Sequence, residues 1–350
     1  MASKAGNRAS IHDVASHAGV SAATVSKFLH GVSTIKAANV EKIKAAILAL
    51  DYRPDPLAAD LRRARRNIIG LIIPDLQSEF FGALASRFET LAEKEGYSLS
   101  IASSHESEDR ELELVERMSS WRVAGTILAP VRSERGTGAG RMKELGMDGV
   151  FVDRVNSDTE YDTIGVDNAK ASAEVCRMLS NIGHRHVLLL GLGQVSKNVR
   201  LRVSAFQQEA LRFCPEMQID VILTTGGVDD LRVKLGEQLD REPPTAVYSL
   251  FQKTTLIALS EFRRRGLSCP KDISLIGFDD ADWMQVTYPA VSAVVQPVER
   301  LADSAFAQLI ARLNGSKDPA LSHLENCELV IRESVGPISR RQGVERWAAT

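Results

Sequence analysis

From Ile68 onward the chain alternates short, almost unbroken apolar runs with amphipathic intervals, and this alternation limits the possible folds more than any other feature. The runs IIGLIIP, YSLSIAS, GTILAP, GVFVD, HVLLLG, IDVIL, TAVYSL and DISLIGF are long enough for a strand and too short for a helix of ordinary length. Strands that are apolar at nearly every position need cover on both faces. Helical intervals, such as those through Phe88 and Leu91 and around Leu112 to Met118, supply it. The pattern predicts an α/β body of Rossmann-like parallel sheets with crossover helices.

The first fifty residues have a different texture. Residues 11–18, 21–29 and a longer segment ending near Leu50 read as three short helices, broken at Gly19 and at His30-Gly31. In the last of them Ile43, Ala46, Ile47 and Leu50 recur at helical spacing and form one apolar face. Val14, Ala15, Ala18, Val20, Val25 and Leu29 are small or branched enough for two helices to cross closely. Gly19 suits a left-handed turn and Ser21 an N-cap. The expectation is an all-α helix-turn-helix head.

Charge separates the two parts. Formal charge over all 350 residues is only −2. Residues 1–66, however, hold eleven Lys and Arg against five acids, a net of +6, so the remainder carries −8. A basic head on an acidic body fits polyanion binding confined to one end. Residues 52–67 are arginine-rich, contain two prolines and have too few apolar side chains for a core. Asp55-Pro56 there is an N-cap followed by proline at the first helical position, which favours a short helix over 56–62.

The function classes that composition and motif exclude are informative. No apolar stretch approaches a bilayer span and no export signal is visible, so a cytoplasmic protein with no membrane association is expected. Cys176, Cys214, Cys269 and Cys327 stand singly, without CxxC or short spacing to histidine, which predicts reduced thiols, no metal site and no disulfide framework. GxSxG, HExxH and Walker patterns are missing. Gly191-Leu192-Gly193 echoes a dinucleotide loop but lacks its third glycine and its acid. His184 and His186 alternate along a strand and so point to opposite faces. No catalytic residue and no cofactor is assigned.

Six segments in order carry a family resemblance: DVASHAGVSAATVS at 13–26, YRP at 52–54, IGLIIPD at 69–75, GHRH at 183–186, DISLIGFDD at 272–280 and ELVIRESV at 328–335. Together they resemble the lactose repressor (LacI/GalR) family of bacterial transcription factors over essentially the whole chain. The resemblance implies a sequence-specific DNA-binding transcriptional regulator, most often a repressor, working as a homodimer on a near-palindromic double-stranded operator. The implied body is two-lobed and built like a periplasmic binding protein, with a small-molecule effector in the cleft. The implied division is a head at 1–51, a hinge at 52–67, a body at 68–340 and a tail at 341–350. Within the body one lobe takes 68–166 with 297–325 and the other 167–296 with 326–340. A ligand-binding protein without DNA function, or an α/β enzyme with an accessory head, are the alternatives.

Residue by residue, the resemblance places Ala22, Ala23 and Lys27 against bases, with Ser21, Thr24, Ser26 and His30 at or near the DNA backbone. Two alanines offer no hydrogen bonds to base edges, so contacts to thymine methyls and a Lys27 contact to guanine are implied. Leu61 takes the position that wedges between minor-groove base steps, with Arg62 and the neighbouring arginines near phosphate. Asp55 and Asp60 depart from the family pattern. In the body the implied effector contacts are Phe80, Phe81, Asp153, Arg202, Phe251 and Asp279. The aromatics would stack on the ligand, the acids would accept hydroxyl hydrogens and Arg202 would grip oxygens with both prongs of its fork. Taken alone, the phenylalanines could equally be core and the acids caps. Phe251-Gln252 stands where the family usually has Asn-Asp, and Ala205 stands where glycine is common at what reads as a helix start. With Arg202 retained, a sugar acid or another carboxylate-bearing metabolite leads among the expected effectors.

Overall fold

The computed structural model describes residues 9–29, 35–52, 67–133, 135–155, 160–192 and 196–338. His30, Leu61, Arg62, the expected helix over 56–62 and the tail beyond 340 lie outside the described residues. The chain forms two compact units, Met1–Arg66 and Asn67–Thr350.

The first unit holds α1 (Ile11–Ala18), α2 (Ala22–Leu29) and α3 (Ala37–Ala49). A reciprocal capping box starts α1: the Asp13 amide donates to Ser10 Oγ at 3.3 Å, and the Ser10 amide donates to Asp13 Oδ2 at 2.8 Å. Those bonds hold the Asp13 carboxyl below its ordinary range. Gly19 ends the helix at φ +62°, a left-handed conformation that a Cβ would disfavour. Val14, Ala15, Ala18, Val25, Ile43 and Ala46 form its buried core.

The second unit contains two six-stranded sheets. Strands β1 (Ile68–Ile73), β2 (Ser98–Ser103), β3 (Gly125–Leu128), β4 (Gly149–Val152), β5 (Asp162–Val166) and β11 (Ser322–Glu325) build the first, in the order β11-β5-β4-β3-β1-β2. The second takes β6 (His186–Leu192), β7 (Gln218–Thr224), β8 (Ala246–Ser249), β9 (Ser274–Phe278), β10 (Ser292–Val295) and β12 (Glu328–Val330), in the order β12-β10-β9-β8-β6-β7. Every pairing is parallel except β10 with β12. Central β1, β3 and β4 are buried at almost every residue because helices cover both faces, whereas edge strands β2 and β7 are exposed or half-buried at all but their last residue.

The helices of the first sheet are α4 (Glu79–Lys94), α5 (Glu108–Ser120), α6 (Thr137–Glu144) and α12 (Val298–Leu313); those of the second are α7 (Asn168–Asn181), α8 (Lys197–Phe213), α9 (Gly227–Arg241), α10 (Gln252–Arg264) and the short α11 (Asp282–Val286). The chain returns to the first sheet after completing most of the second. Arg312 on α12 anchors that return, donating from Nε and Nη2 to the buried Asp162 at 2.7 and 2.8 Å. Packing of α5 on α6 needs a glycine: a Cβ at Gly138 would lie 2.4 Å from Glu111 Oε1. Burial raises the Glu111 carboxyl to about 7. Ala205 sits in the middle of α8, not at a helix start as its sequence position suggested, and is accommodated there at 9% exposure.

Candidate functional site

Parallel sheets leave their ligand-binding capacity at the carboxyl ends of the strands, where helices begin and backbone amides converge. A cavity of about 570 Å³ occupies that position in the body, lined from both sheets. Asp153 follows β4, Phe251 and Asp279 follow β8 and β9, and Phe80 and Phe81 open α4. Arg202, on the second turn of α8, completes the six sequence-predicted positions, all of which line the cavity.

Asp153 and Asp279 occupy equivalent places in the two sheets. Each stands one residue beyond its strand, at φ +67° and +74°, and each amide extends the ladder by donating to a neighbouring strand, Asp153 to Ile164 O and Asp279 to Val294 O, both at 3.0 Å. Left-handed backbone at a non-glycine residue costs about 1–3 kcal/mol, and aspartate tolerates it better than most. Asp153 Oδ1 accepts from Asn198 Nδ2 at 2.9 Å. Asp279 accepts from Gln296 Nε2 at 2.5 Å and from the backbone of Gln252 at the start of α10. Burial pushes Asp153 up to about 6 against the opposing pull of Arg154 and Arg202, and burial raises Asp279 too.

The two-pronged ligand grip expected of Arg202 is largely spent inside the protein. Its Nε donates to Asn168 Oδ1 at 2.8 Å and its Nη1 to Leu250 O at 2.6 Å. Its guanidinium carbon lies 3.3 Å from the Phe278 ring centroid and 5.9 Å from that of Phe251. The remaining terminal nitrogen has no hydrogen-bond partner among the described residues. Phe80 and Phe81 divide their roles: Phe81 is 6% exposed and joins the core of its lobe, whereas Phe80 is half-buried and meets it edge-on at 5.1 Å. Phe251 caps α10, its carbonyl accepting from the hydroxyls of Ser249, Thr254 and Thr255.

Several lining residues carry no local sequence signal. Arg154 makes a fork-to-fork pair with Glu106, 2.6 Å on each prong, across 48 positions of chain. Gln296 is 8% exposed and its Oε1 is buried without a partner among the described residues. Trp283 and Lys253 also line the cavity. No group of histidine, cysteine and acid among the described residues could hold a metal ion, and no described helix is long and apolar enough to cross a membrane. His184 and His186 bond to Thr245 with Gly336 and to Asp220, respectively.

In the head, Ala23 and Lys27 are exposed on α2 and Ala22, Thr24 and Ser26 are half-buried. Ser21 and Thr24 satisfy one another. The Thr24 amide donates to Ser21 Oγ at 3.2 Å, and the two hydroxyls lie 2.8 Å apart. Ser21 therefore caps α2, which leaves Ala23 and Lys27 as the outward pair on that helix.

Comparison with known proteins gives consistent matches to both units. A profile described as bacterial regulatory proteins, lacI family, matches residues 10–55, and one described as a periplasmic binding protein-like domain matches residues 176–335. The HTH-type transcriptional regulator PtxS of Pseudomonas aeruginosa is 30% identical over 334 residues, which cover 94% of this chain and 96% of that protein. The HTH-type transcriptional repressor CytR of Escherichia coli K12 is 26% identical over 339 residues, 95% of this chain and 98% of its own length. In fold, the lac repressor dimer bound to operator and the anti-inducer ONPF matches with a TM-score of 0.83 at 22% identity, over 94% of this chain and 100% of the other.

Proposed function

The chain belongs to the lacI family of bacterial regulatory proteins, and we propose that it is a cytoplasmic transcriptional repressor whose hold on a near-palindromic operator is set by a sugar-like effector in the body's cleft. As a member it is a DNA-binding transcriptional regulator and not an enzyme. The observation that carries the proposal is one chain with a helix-turn-helix in one unit and, in the other, a cavity of about 570 Å³ lined from two largely parallel sheets. The division proposed is a head at 1–51, a hinge at 52–67 and a body at 68–340, with lobes at 68–166 plus 297–325 and at 167–296 plus 326–340.

The proposed DNA contacts are Ser21, Ala22, Ala23, Thr24, Ser26, Lys27, His30, Leu61 and Arg62. A homodimer presents two heads, so protein two-fold symmetry sets half-site symmetry in the operator. Ala22 and Ala23 favour thymine methyls and Lys27 reaches guanine acceptors. Lys27→Ala is expected to cost about 1–3 kcal/mol at one base pair of each half-site, read as relaxed preference there when variant and wild type are compared on single-substituted operators. An equal loss on all sequences would make Lys27 a phosphate contact only.

The proposed effector contacts are Phe80, Phe81, Asp153, Arg202, Phe251 and Asp279. Ligand hydroxyls donate to the two carboxylates, aromatic rings cover apolar ring faces, and the free nitrogen of Arg202 donates to a ligand oxygen. Ligand bridging the lobes biases the body toward its closed form. Residues 52–67 carry that bias to the head, and operator must then shift effector affinity by the same factor.

The cleft carboxylates give this scheme a pH dependence. Asp153 folds with its carboxyl raised to about 6, so the folded body binds its proton more tightly than the unfolded chain does. Stability contributed by that proton is present at low pH and is lost as pH rises from the ordinary carboxyl value to about 6, at most ~3 kcal/mol. Asp153→Asn is accordingly expected to raise the melting temperature at pH 7.5 and to weaken effector binding. In the wild type, effector affinity is expected to rise between pH 5 and 7, because hydroxyl donors favour the ionised carboxylate. Titration calorimetry across that range checks it; affinity that is flat or falls with pH would remove Asp153 from the contact set.

The experiment for the function as a whole is selection of bound sequences from random duplexes, followed by a screen of sugars and sugar acids for ligands that shift the binding. Enrichment of a palindrome sensitive to a ligand supports the reading. No enrichment under any ligand overturns it.

A further inference from the structure

The cleft brings more negative than positive charge to its ligand. Its lining acids are Asp75, Glu79, Glu106, Asp153 and Asp279, and its bases are Arg154, Arg202 and Lys253. The two bases that reach deep into it are largely engaged: Arg202 keeps one terminal nitrogen, and Arg154 none that the protein has not already met. Arg154 is 7% exposed, gives both terminal nitrogens to Glu106, and also donates from Nη1 to Val131 O at 2.6 Å.

The loop that delivers Glu106 is built for that contact. His105 and Glu106 are consecutive non-glycine residues at φ +50° and +58°, a conformation that ordinary side chains avoid. Three amide hydrogen bonds hold them there: the His105 amide donates to Ser103 Oγ at 3.3 Å, the Glu106 amide to Pro74 O at 3.3 Å and the Ser107 amide to Ser104 O at 3.0 Å. The turn thus aims one carboxylate along the carboxyl edge of the first sheet, from beyond β2 to a guanidinium beyond β4. Among the described residues the buried Gln296 Oε1 is an acceptor without a protein partner, and beside it stand two buried acceptor carboxylates, Asp153 with Asn198 on one oxygen and Arg154 Nε 3.8 Å from the other, and Asp279 with Gln296 and the Gln252 amide.

We propose that Glu106 sets the charge selectivity of the cleft by serving as the internal counter-ion of Arg154, so that the site takes a neutral, hydroxyl-rich ligand and turns away its carboxylate analogue. This rests on the reading of the cleft as the effector site and narrows that reading within the sugar and sugar-acid class. A ligand anion has to displace Glu106 from a fork it already fills, beside two desolvated carboxylates that repel it. A neutral polyol meets acceptors, the unpartnered Gln296 Oε1 and the two aspartate carboxylates.

The test uses the full chain and needs no knowledge of the effector. Thermal stabilisation by sodium sulfate is measured against sodium chloride at equal ionic strength for wild type, Glu106→Gln and Glu106→Ala. Calorimetry of D-glucose with D-gluconate and of D-galactose with D-galactonate accompanies it. The two variants are expected to gain at least tenfold in sulfate affinity over wild type, and any sugar pair that binds is expected to shift toward its acid by a similar factor. Equal sulfate response in all three proteins overturns the proposal. So does a wild type that binds an acid as tightly as its neutral partner. Operator release is scored separately: a sulfate gain with no sugar that moves DNA binding would leave the role of Glu106 standing while the effector reading failed.

Discussion

Replacing Arg202 with alanine is expected to abolish the response to effector while leaving the ligand-free protein bound to its operator. Arg202 is 3% exposed and stands among Asn168, the Leu250 carbonyl, the Phe278 face and the electrostatic reach of Asp153 and Asp279. Its loss strands one buried amide oxygen and one carbonyl, removes a cation that lowers both desolvated carboxylates and takes away the terminal nitrogen it keeps for a ligand. Losing a hydrogen bond from a charged donor to the ligand costs about 1.5–3 kcal/mol, roughly tenfold or more in ligand affinity. Arg202→Lys separates charge from geometry, because an ammonium supplies the positive charge without a planar fork to span Asn168 and Leu250 O. Fluorescence anisotropy on operator with and without effector, in both variants, checks the expectation. An alanine variant released by effector at wild-type concentrations would remove Arg202 from the site.

Ile43→Ala is expected to have an equally large effect on the other unit. Among its described residues the head has only six buried apolar ones, and Ile43 is fully buried on α3 against the crossing of α1 and α2. Deleting three carbons from such a position costs about 2–5 kcal/mol, and a core this small has little stability to lose. The body has its own cores and does not draw on Ile43. DNA binding should therefore disappear at ambient temperature, with effector affinity unchanged within twofold. Calorimetric unfolding should show the transition of the body unmoved while that of the head falls below room temperature. A single transition displaced as a whole would mean that the two units unfold together.

These expectations depend on how much of the molecule its sequence reveals. The central strands were legible because burial on both faces forces unbroken apolar runs such as IIGLII and HVLLLG. Four strands carried no such signal. In β5, buried Asp162 and Thr163 interrupt the pattern, and Asp162 is tolerated because Arg312, 150 positions away, meets it. β10 is only SAVV, and the edge strands are polar and exposed in β11 (SHLE) and only three residues long in β12 (ELV). A return of the chain to its first sheet cannot be read from periodicity, since it depends on contacts between distant segments.

The site divides in the same way. All six residues singled out in the body line one cavity, because strand ends in a parallel sheet converge and can be located from the strands themselves. Their partners were not legible. Glu106, Asn198 and Gln296 reach Arg154, Asp153 and Asp279 across 48, 45 and 17 positions, and nothing local marks them. Arg202 shows the consequence: its identity suggested a ligand fork, whereas the Asn168 side chain and the Leu250 carbonyl take two of its nitrogens.

Linkage between the cleft and the head is the central claim, and reciprocity tests it most directly. Effector affinity of the full chain is measured by calorimetry with and without saturating operator duplex, and operator affinity by anisotropy with and without saturating effector. The account predicts that the two ratios are equal and differ from one by at least fivefold, as a coupling of about 1 kcal/mol or more requires. Ratios of one in both experiments, with effector and operator each bound tightly, would contradict it.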